Sequence, residues 1–248
     1  MKVLYIHNSY SEKTPTGEEH ASRELVKLLE EHGHEVRWYK ANSDIVRERK
    51  GGALLAMFTG IYNPRSARRL AKVLDEYKPD VVQVQNLYPV ISTSIFKPLK
   101  ERNIPVVMRC PNYRLFCPTG LSLDPTGKVC EDCWHGGLRE FNCVHKNCEK
   151  NIARSIGYAV RGAFNRITRR IFDGVDVFIV QSEFQKQKFI SQGIPANGIG
   201  IVPGISPDIV RPEKNEIGDW VSFVGRVSAE KGIYEFIEAA RQNPTIPF

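Results

Sequence analysis

No stretch of this 248-residue chain is apolar for long enough to cross a bilayer. Two charge-free runs stand out, residues 81–96, broken by Gln83, Gln85, Asn86 and Pro89, and residues 51–64. Neither supplies the roughly 20 apolar residues that a span needs. The opening Met1-Lys2-Val3-Leu4-Tyr5-Ile6-His7 is too short an apolar run for a secretory leader. Repeats and low-complexity tracts are missing as well, and 19 glycines and 15 prolines are ordinary numbers, so collagenous, fibrous and disordered chains are excluded. With 42% apolar and 25% charged residues, the composition is that of a globular protein with ample length to bury a core. A soluble, cytoplasmic protein is expected, able to touch a membrane from that side.

Acidic residues are in deficit. Lys and Arg number 35 against 28 Asp and Glu, a net charge of +7 with a pI near 9.1. That balance favours an anionic partner such as nucleic acid, phospholipid headgroups or a phosphorylated ligand. The excess is concentrated in two segments. Residues 45–72 hold Arg47, Arg49, Lys50, Arg65, Arg68, Arg69 and Lys72 against Glu48. Residues 146–170 hold Lys146, Lys150, Arg154, Arg161, Arg166, Arg169 and Arg170 against Glu149. Solvated helix faces are an equal reading of each of these residues.

Short β-type runs alternate with helical periodicities from end to end. Strands are expected over residues 2–7, 35–39, 81–84, 105–109, 175–180 and 199–202. Helices are expected over 17–31 (stopped by Gly33), 65–77 (after Pro64), 91–102, 152–171 and 182–192, the last capped by Ser182 and stopped by Gly193. In the 152–171 helix, Ile152, Ile156, Val160, Ala163, Ile167 and Ile171 form the expected buried stripe. The alternation predicts an α/β fold: a Rossmann-like parallel sheet of six or seven strands flanked by helices over residues 1–203, with a Cys-rich insertion at 110–150. Residues 204–219 read as a linker, and 220–248 as the start of a second α/β unit with a strand at 220–224 and a helix at 233–241. Ligands of parallel sheets bind at the carboxyl ends of the strands, which singles out the loops after His7, Val84, Arg109, Val180 and Val202.

The clearest local chemistry is Phe223-Val224-Gly225-Arg226-Val227-Ser228-Ala229-Glu230-Lys231-Gly232. Glycine lets a backbone approach a ligand, a helix start offers free N–H groups, and two cations five apart can grip a diphosphate. This decapeptide resembles the G-R-x-x-x-x-K-G signature of retaining glycosyltransferases of family 4, which have the two-domain GT-B fold. Other segments agree in order: Thr16-Gly17-Glu18-Glu19 through Gly33-His34-Glu35-Val36, Pro79-Asp80-Val81-Val82-Gln83-Val84-Gln85-Asn86, Gln181-Ser182-Glu183-Phe184, and Ile201-Val202-Pro203-Gly204. The resemblance implies an N-terminal acceptor domain and the beginning of a nucleotide-sugar-binding domain. The implied reaction moves a sugar from a nucleotide-diphosphate sugar to a lipid-linked or saccharide acceptor with retention, in cell-surface polysaccharide or glycolipid synthesis, with no cofactor required for chemistry. Arg226 and Lys231 would hold the donor diphosphate, Gly225 would join them, and Gly17 would lie near the transferred sugar. Gln85, Asn86, Asn112, Tyr113 and Arg114 would face the acceptor cleft. The sequence departs from the pattern at Gln83 and Gln85, where the family has histidines, and at Pro111, where it often has another. The E-x7-E pair of the donor domain is missing, and the chain reads as a donor-domain truncation, inactive alone.

All six cysteines fall within residues 110–148. Cys130-x2-Cys133 and Cys143-x4-Cys148 can present four thiolates to a structural zinc, with Cys117 as a fifth candidate and His135 and His145 as alternates. Free buried thiols are the alternative reading. Family 4 members with a similar insertion match Cys117, Cys130, Cys133 and Cys148. Finally, residues 51–62 form an apolar stretch with cations on both sides, suited to lying in the interface of an anionic membrane. The competing reading packs Leu54, Leu55, Met57 and Phe58 into the core. A zinc-containing nucleic-acid-binding protein would also explain the pI, but aromatic residues are not interleaved with the basic ones as a base-stacking surface needs. A non-catalytic remnant of the acceptor domain is the third reading.

Overall fold

The structure is a computed structural model that describes residues 1–10, 17–48, 50–135, 137–204 and 218–248. Thr16, Arg49 and residues 205–217, which hold most of the expected linker, lie outside the described residues, as do the side chains of Arg47, Ala53 and Leu54. Six strands form one sheet: β1 (Lys2–Ser9), β2 (Glu35–Asn42), β3 (Val81–Asn86), β4 (Val106–Arg109), β5 (Val177–Val180) and β6 (Ile199–Ile201). Their order is β2-β1-β3-β4-β5-β6 and every neighbouring pair is parallel. The helices are α1 (Gly17–Glu31), α2 (Asp44–Arg47), α3 (Gly52–Ile61), α4 (Pro64–Tyr77), α5 (Phe96–Lys100), α6 (Asn142–His145), α7 (Ile152–Thr168), α8 (Glu183–Ser191) and α9 (Ile233–Gln242).

The strand β1 is buried from its second residue onward, because helices cover both faces of the sheet, and this is why it reads as an unbroken apolar run. β2, at the edge, buries only Tyr39. From β1 the chain crosses to β2 on one side and then back to β3 on the other. The crevice between the carboxyl ends of β1 and β3 is therefore the topological switch point. Leu4, Ile6, Val82, Val84 and Phe178 of the sheet pack with Leu70 and Leu74 of α4 and Leu99 of α5 in the core. α4 starts where the sequence requires: Asn63 Oδ1 accepts the N–H groups of Arg65 and Ser66, and Pro64 needs no partner for its nitrogen. Likewise Ser182 caps α8 by accepting from the Gln185 N–H at 3.2 Å, and Gly193 ends it at φ +87°.

Three expectations are corrected. The 91–102 helix is cut to a 3₁₀ turn over Thr93–Ile95 followed by α5. Ser92, at φ +63°, and Ser94 spend their hydroxyls on the backbone of Asn63, tying this loop to the α4 cap instead of extending the helix. Four of the six residues expected in the buried stripe face outward: Ile152 is 54% and Ile167 71% exposed, with Ile156 and Val160 also exposed. Ala163 and Ile171 are buried as expected, together with Ser155, Gly157, Ala159, Arg161 and Asn165. Small residues let α7 come close to its neighbours. A Cβ on Gly157 would stand 3.0 Å from Met57 Cγ of α3, and one on Gly162 would stand 2.9 Å from Glu140 Cγ. Lastly, residues 220–224 form no strand; with no ladder neighbour among the described residues, Val221 N–H donates to Pro247 O and Phe223, Phe236 and Phe248 cluster beside α9.

Candidate functional site

Loops at the carboxyl ends of β1, β3 and β4, with the first turn of α1, enclose a small cavity lined by Tyr10, Glu18, Gln85, Arg109, Asn112 and Arg114. Two asparagines join the strand ends beside it. Asn8, near the end of β1, donates to Ser43 Oγ at 2.9 Å and accepts the Val90 N–H at 3.0 Å. Asn86, ending β3, donates to Asn8 O at 2.9 Å and accepts the Tyr88 N–H. Asn86 is thus spent on joining two strand ends, and it shapes the cavity through the backbone.

Gln85 connects two acids of different strength, the buried Tyr5 and the half-buried Glu18. The Tyr5 hydroxyl donates to Gln85 Oε1, and Gln85 Nε2 donates to Glu18 Oε1, each at 3.2 Å. Burial pushes the Tyr5 hydroxyl up to about 12. It also holds the Glu18 carboxyl above the usual carboxylate range, against the Gln85 hydrogen bond and the charges of Arg114 and Arg109. A histidine at position 85 would make this chain dependent on its own protonation; glutamine supplies one donor and one acceptor at any pH.

On the β4 side, Asn112 Oδ1 accepts the Arg114 N–H at 3.0 Å and sets the turn that aims Arg114 at the cavity. Gly120 fits against that turn at φ +82°, where a Cβ would meet Asn112 Oδ1 at 3.2 Å. Arg114 Nη1 donates to the Tyr10 hydroxyl at 3.3 Å. Tyr113 turns away and packs on Trp134, ring centroids 5.3 Å apart, so it anchors the loop and does not line the cavity. Behind Arg114 lies Arg161, whose guanidinium sits 4.4 Å from the ring centroids of both Tyr88 and Tyr158. The sequence places Arg161 on an exposed basic face with Arg154 and Arg169; the fold buries it to 8% exposure.

The structure therefore brings Gln85, Asn86, Asn112 and Arg114 to one crevice, and Gly17 stands one residue before Glu18 at the start of α1. Gly225, Arg226 and Lys231 do not line it; they lie in the 218–248 segment, where Arg226 pairs with Glu230 at 3.1 Å. Sequence reasoning missed Tyr10, Glu18, Arg109 and Arg161. Position could have found Arg109, the last residue of an expected strand, and Glu18, inside the first matching motif. Nothing local distinguishes Arg161 from the other arginines of its helix.

All six cysteines are free. Five of them gather. The Cys133 thiol is pushed up to about 12 by burial and by the neighbouring thiols of Cys117, Cys148 and Cys130, and the thiols of Cys143 and Cys148 are hydrogen-bonded. Lys146 Nζ lies 3.4 Å from Cys130 Sγ. Cys110 stands apart at the end of β4, and His135 and His145 are exposed. The donor set suits zinc, but among the described residues no three His, Cys, Asp or Glu are arranged to hold a metal ion.

The glycosyl transferase 4-like domain family matches residues 16–204, more than half of the chain, and the chain belongs to that family. An uncharacterized 42.6 kDa protein in the cps region of Klebsiella pneumoniae is 22% identical over 191 residues, which make up 76% of this chain and 44% of that protein. The chain thus spans less than half the length of this relative. Among solved structures, the lipopolysaccharide outer core galactosyltransferase WaaB is similar at a TM-score of 0.45 and 14% identity, covering 87% of this chain and 50% of that one. UDP-GlcNAc 2-epimerase from Methanocaldococcus jannaschii is similar at 0.44 and 14%, covering 82% and 46%.

Proposed function

We propose that the protein is a glycosyltransferase that moves a sugar from a nucleotide-diphosphate sugar to a lipid-linked or saccharide acceptor with retention, in the synthesis of cell-surface polysaccharide or glycolipid. The observation that carries this reading is the convergence of Glu18, Gln85, Arg109 and Arg114 at the switch point of a sheet in the glycosyl transferase 4-like family. Residues 1–203 are the acceptor side, 204–219 the linker, and 220–248 the start of the donor side. Arg226 and Lys231 hold the donor diphosphate where its negative charge grows as the bond to the sugar breaks, and Gly225 gives the backbone room to approach. Gly17 stands near the transferred sugar, and Gln85, Asn86, Asn112 and Tyr113 shape the acceptor side. Transfer of labelled hexose from a panel of nucleotide-diphosphate sugars, assayed with the whole protein, tests the reading. Neither transfer nor nucleotide-sugar binding across the panel would sink it.

The reading includes work at the inner face of an anionic membrane. Phe58 of α3 is 59% exposed, and Leu55 is exposed beside it. These two and the outward Ile152, Ile156 and Val160 of α7 lie on helices that touch through Met57 and Gly157, and Arg65, Arg68 and Arg154 are exposed nearby in the sequence. Among the described residues no helix is long and apolar enough to cross a membrane. A face of this kind lies in the interface, each cation adding about 1 kcal/mol. The protein should sediment with phosphatidylglycerol vesicles at low salt and less at high salt, and F58S/I156S should weaken both. Protein left in solution at both salts overturns the membrane reading.

The reading also includes one structural zinc held by four of Cys117, Cys130, Cys133, Cys143 and Cys148, supported by the gathering of the five thiols. Metal analysis should find about one zinc per chain, with chelation disordering residues 110–150. A metal-free protein that is fully folded leaves five free thiols instead.

A further inference from the structure

Two arginines stand beside the cavity, Arg161 buried and Arg114 half-buried. Arg161 reaches in from α7, its guanidinium between the rings of Tyr88 and Tyr158, and spends Nη2 on Pro118 O at 3.1 Å. Arg114 reaches in from the loop after β4 and spends Nη1 on the Tyr10 hydroxyl, while its buried Nε–H has no acceptor among the described residues. Neither arginine forms an ion pair with a described residue. Glu140, which packs against Gly162 of α7, pairs instead with Arg166 at 2.8 Å. Glu18 is the carboxyl whose charge acts on Arg114, while burial raises that carboxyl above the usual range.

Burying one unpaired cation is costly, and a second beside it adds repulsion. Ring faces and carbonyl oxygens soften the cost without cancelling the charge. Burial and the Arg114 charge both weaken the hold of Arg161 on its proton, as two adjacent cations should. The fold nevertheless holds Arg161 in place: Asn165 Nδ2 donates to the Tyr88 hydroxyl at 2.6 Å, so that the ring stays under the guanidinium. A fixed pair of guanidinium forks with unspent N–H groups is complementary to an oxyanion with several acceptor oxygens.

We propose that Arg114 and Arg161 bind a phosphate or diphosphate group of the acceptor beside the crevice at the carboxyl end of β4. Naming the ligand as the acceptor rests on the glycosyltransferase reading, which assigns the donor diphosphate to Arg226 and Lys231. The anion site itself does not depend on it. A phosphate suits the pair better than a carboxylate, having more charge and more acceptor oxygens to share between two forks. Its source is either a lipid-linked diphosphate or a soluble sugar phosphate.

The test is calorimetric titration with inorganic pyrophosphate, geranyl diphosphate, glucose 1-phosphate and glucuronate, on protein carrying R226A/K231A so that the proposed donor cations are absent. Pyrophosphate should bind, and R114Q or R161Q should each weaken it about tenfold or more, with a shallower dependence on salt. R161K, which keeps the charge and loses the fork, should fall between, and it replaces R161Q if that variant does not fold. Tighter binding of geranyl diphosphate than of glucose 1-phosphate identifies a lipid-linked source, and the reverse order a soluble one. No binding of pyrophosphate up to about 10 mM, or equal binding by the variants, overturns the site. Glucuronate binding in place of the phosphates overturns the ligand class. An equal loss of UDP binding in R114Q alone, with Arg226 and Lys231 intact, reassigns the site to the donor and overturns the acceptor assignment. Failure of both hexose transfer and nucleotide-sugar binding, by contrast, sinks the glycosyltransferase reading and leaves the anion site standing.

Discussion

Folding stability should fall by about 3 kcal/mol as the pH drops from 7 to 4, through His7 alone. This histidine stands near the carboxyl end of β1 at 2% exposure, and neither ring nitrogen has a hydrogen-bond partner among the described residues. Burial first, and then the charge of Lys40, lower its pKa to about 4. In the unfolded chain the ring takes up a proton near pH 6.5, so between pH 6.5 and 4 the unfolded state binds more protons and gains on the folded one. The contribution is fully present above about 6.5 and is lost progressively toward 4. Glu18 acts in the opposite sense: its raised carboxyl favours the folded state as the pH falls. Urea unfolding of the wild type and His7→Phe at several pH values measures the difference. Phe fills the same space with no nitrogen to leave unsatisfied, so the variant should be as stable at pH 7 and its pH dependence should flatten or reverse. An unchanged slope in the variant would acquit His7.

Replacing Arg226 or Lys231 by Ala should lower sugar transfer about 100-fold, with little change in stability. The segment around them buries none of the residues of α9, and Arg226 is 77% exposed, paired only with the neighbouring Glu230. An exposed pair of this kind contributes little, so Arg226 can exchange it for a ligand at small cost. A donor diphosphate gains charge as the sugar leaves, and contacts that strengthen at that moment raise turnover more than ground-state affinity. The expected signature is a fall in kcat larger than the rise in KM for the nucleotide sugar, and near-normal thermal unfolding. Unchanged turnover in both variants removes these residues from the mechanism.

The parallel sheet was legible because each strand carries its own cause. β1 and β5 carry apolar runs ended by polar loops, β3 sets its valines among amides, and helical periodicity lies between them, a pattern that fits a sheet covered on both sides. The loops that build the cavity were legible for the same reason, since they follow strand ends. The α7 face was not. Four large aliphatic residues at helical spacing look like a core stripe, yet the helix packs through Ser155, Gly157, Ala159 and Ala163. Which side of a helix is buried depends on what stands opposite, here Met57 and Glu140, and neither is near it in the sequence.

By itself the sequence determined the six strands of the sheet and most of its helices, their order, the start of α4 at Pro64 and the cap of α8, and the ends of the sheet where a ligand must sit. These follow from local propensity and from the period of apolar residues, both of which are properties of short segments. Tertiary structure alone decided that Gln85 bridges Tyr5 and Glu18, that five thiols gather, and that Arg161 is buried against Tyr88 behind Arg114. Each of these joins residues far apart in the chain, and their chemistry comes from shared burial: removing water raises the Glu18 carboxyl, lowers the His7 ring and makes two neighbouring guanidiniums an anion site.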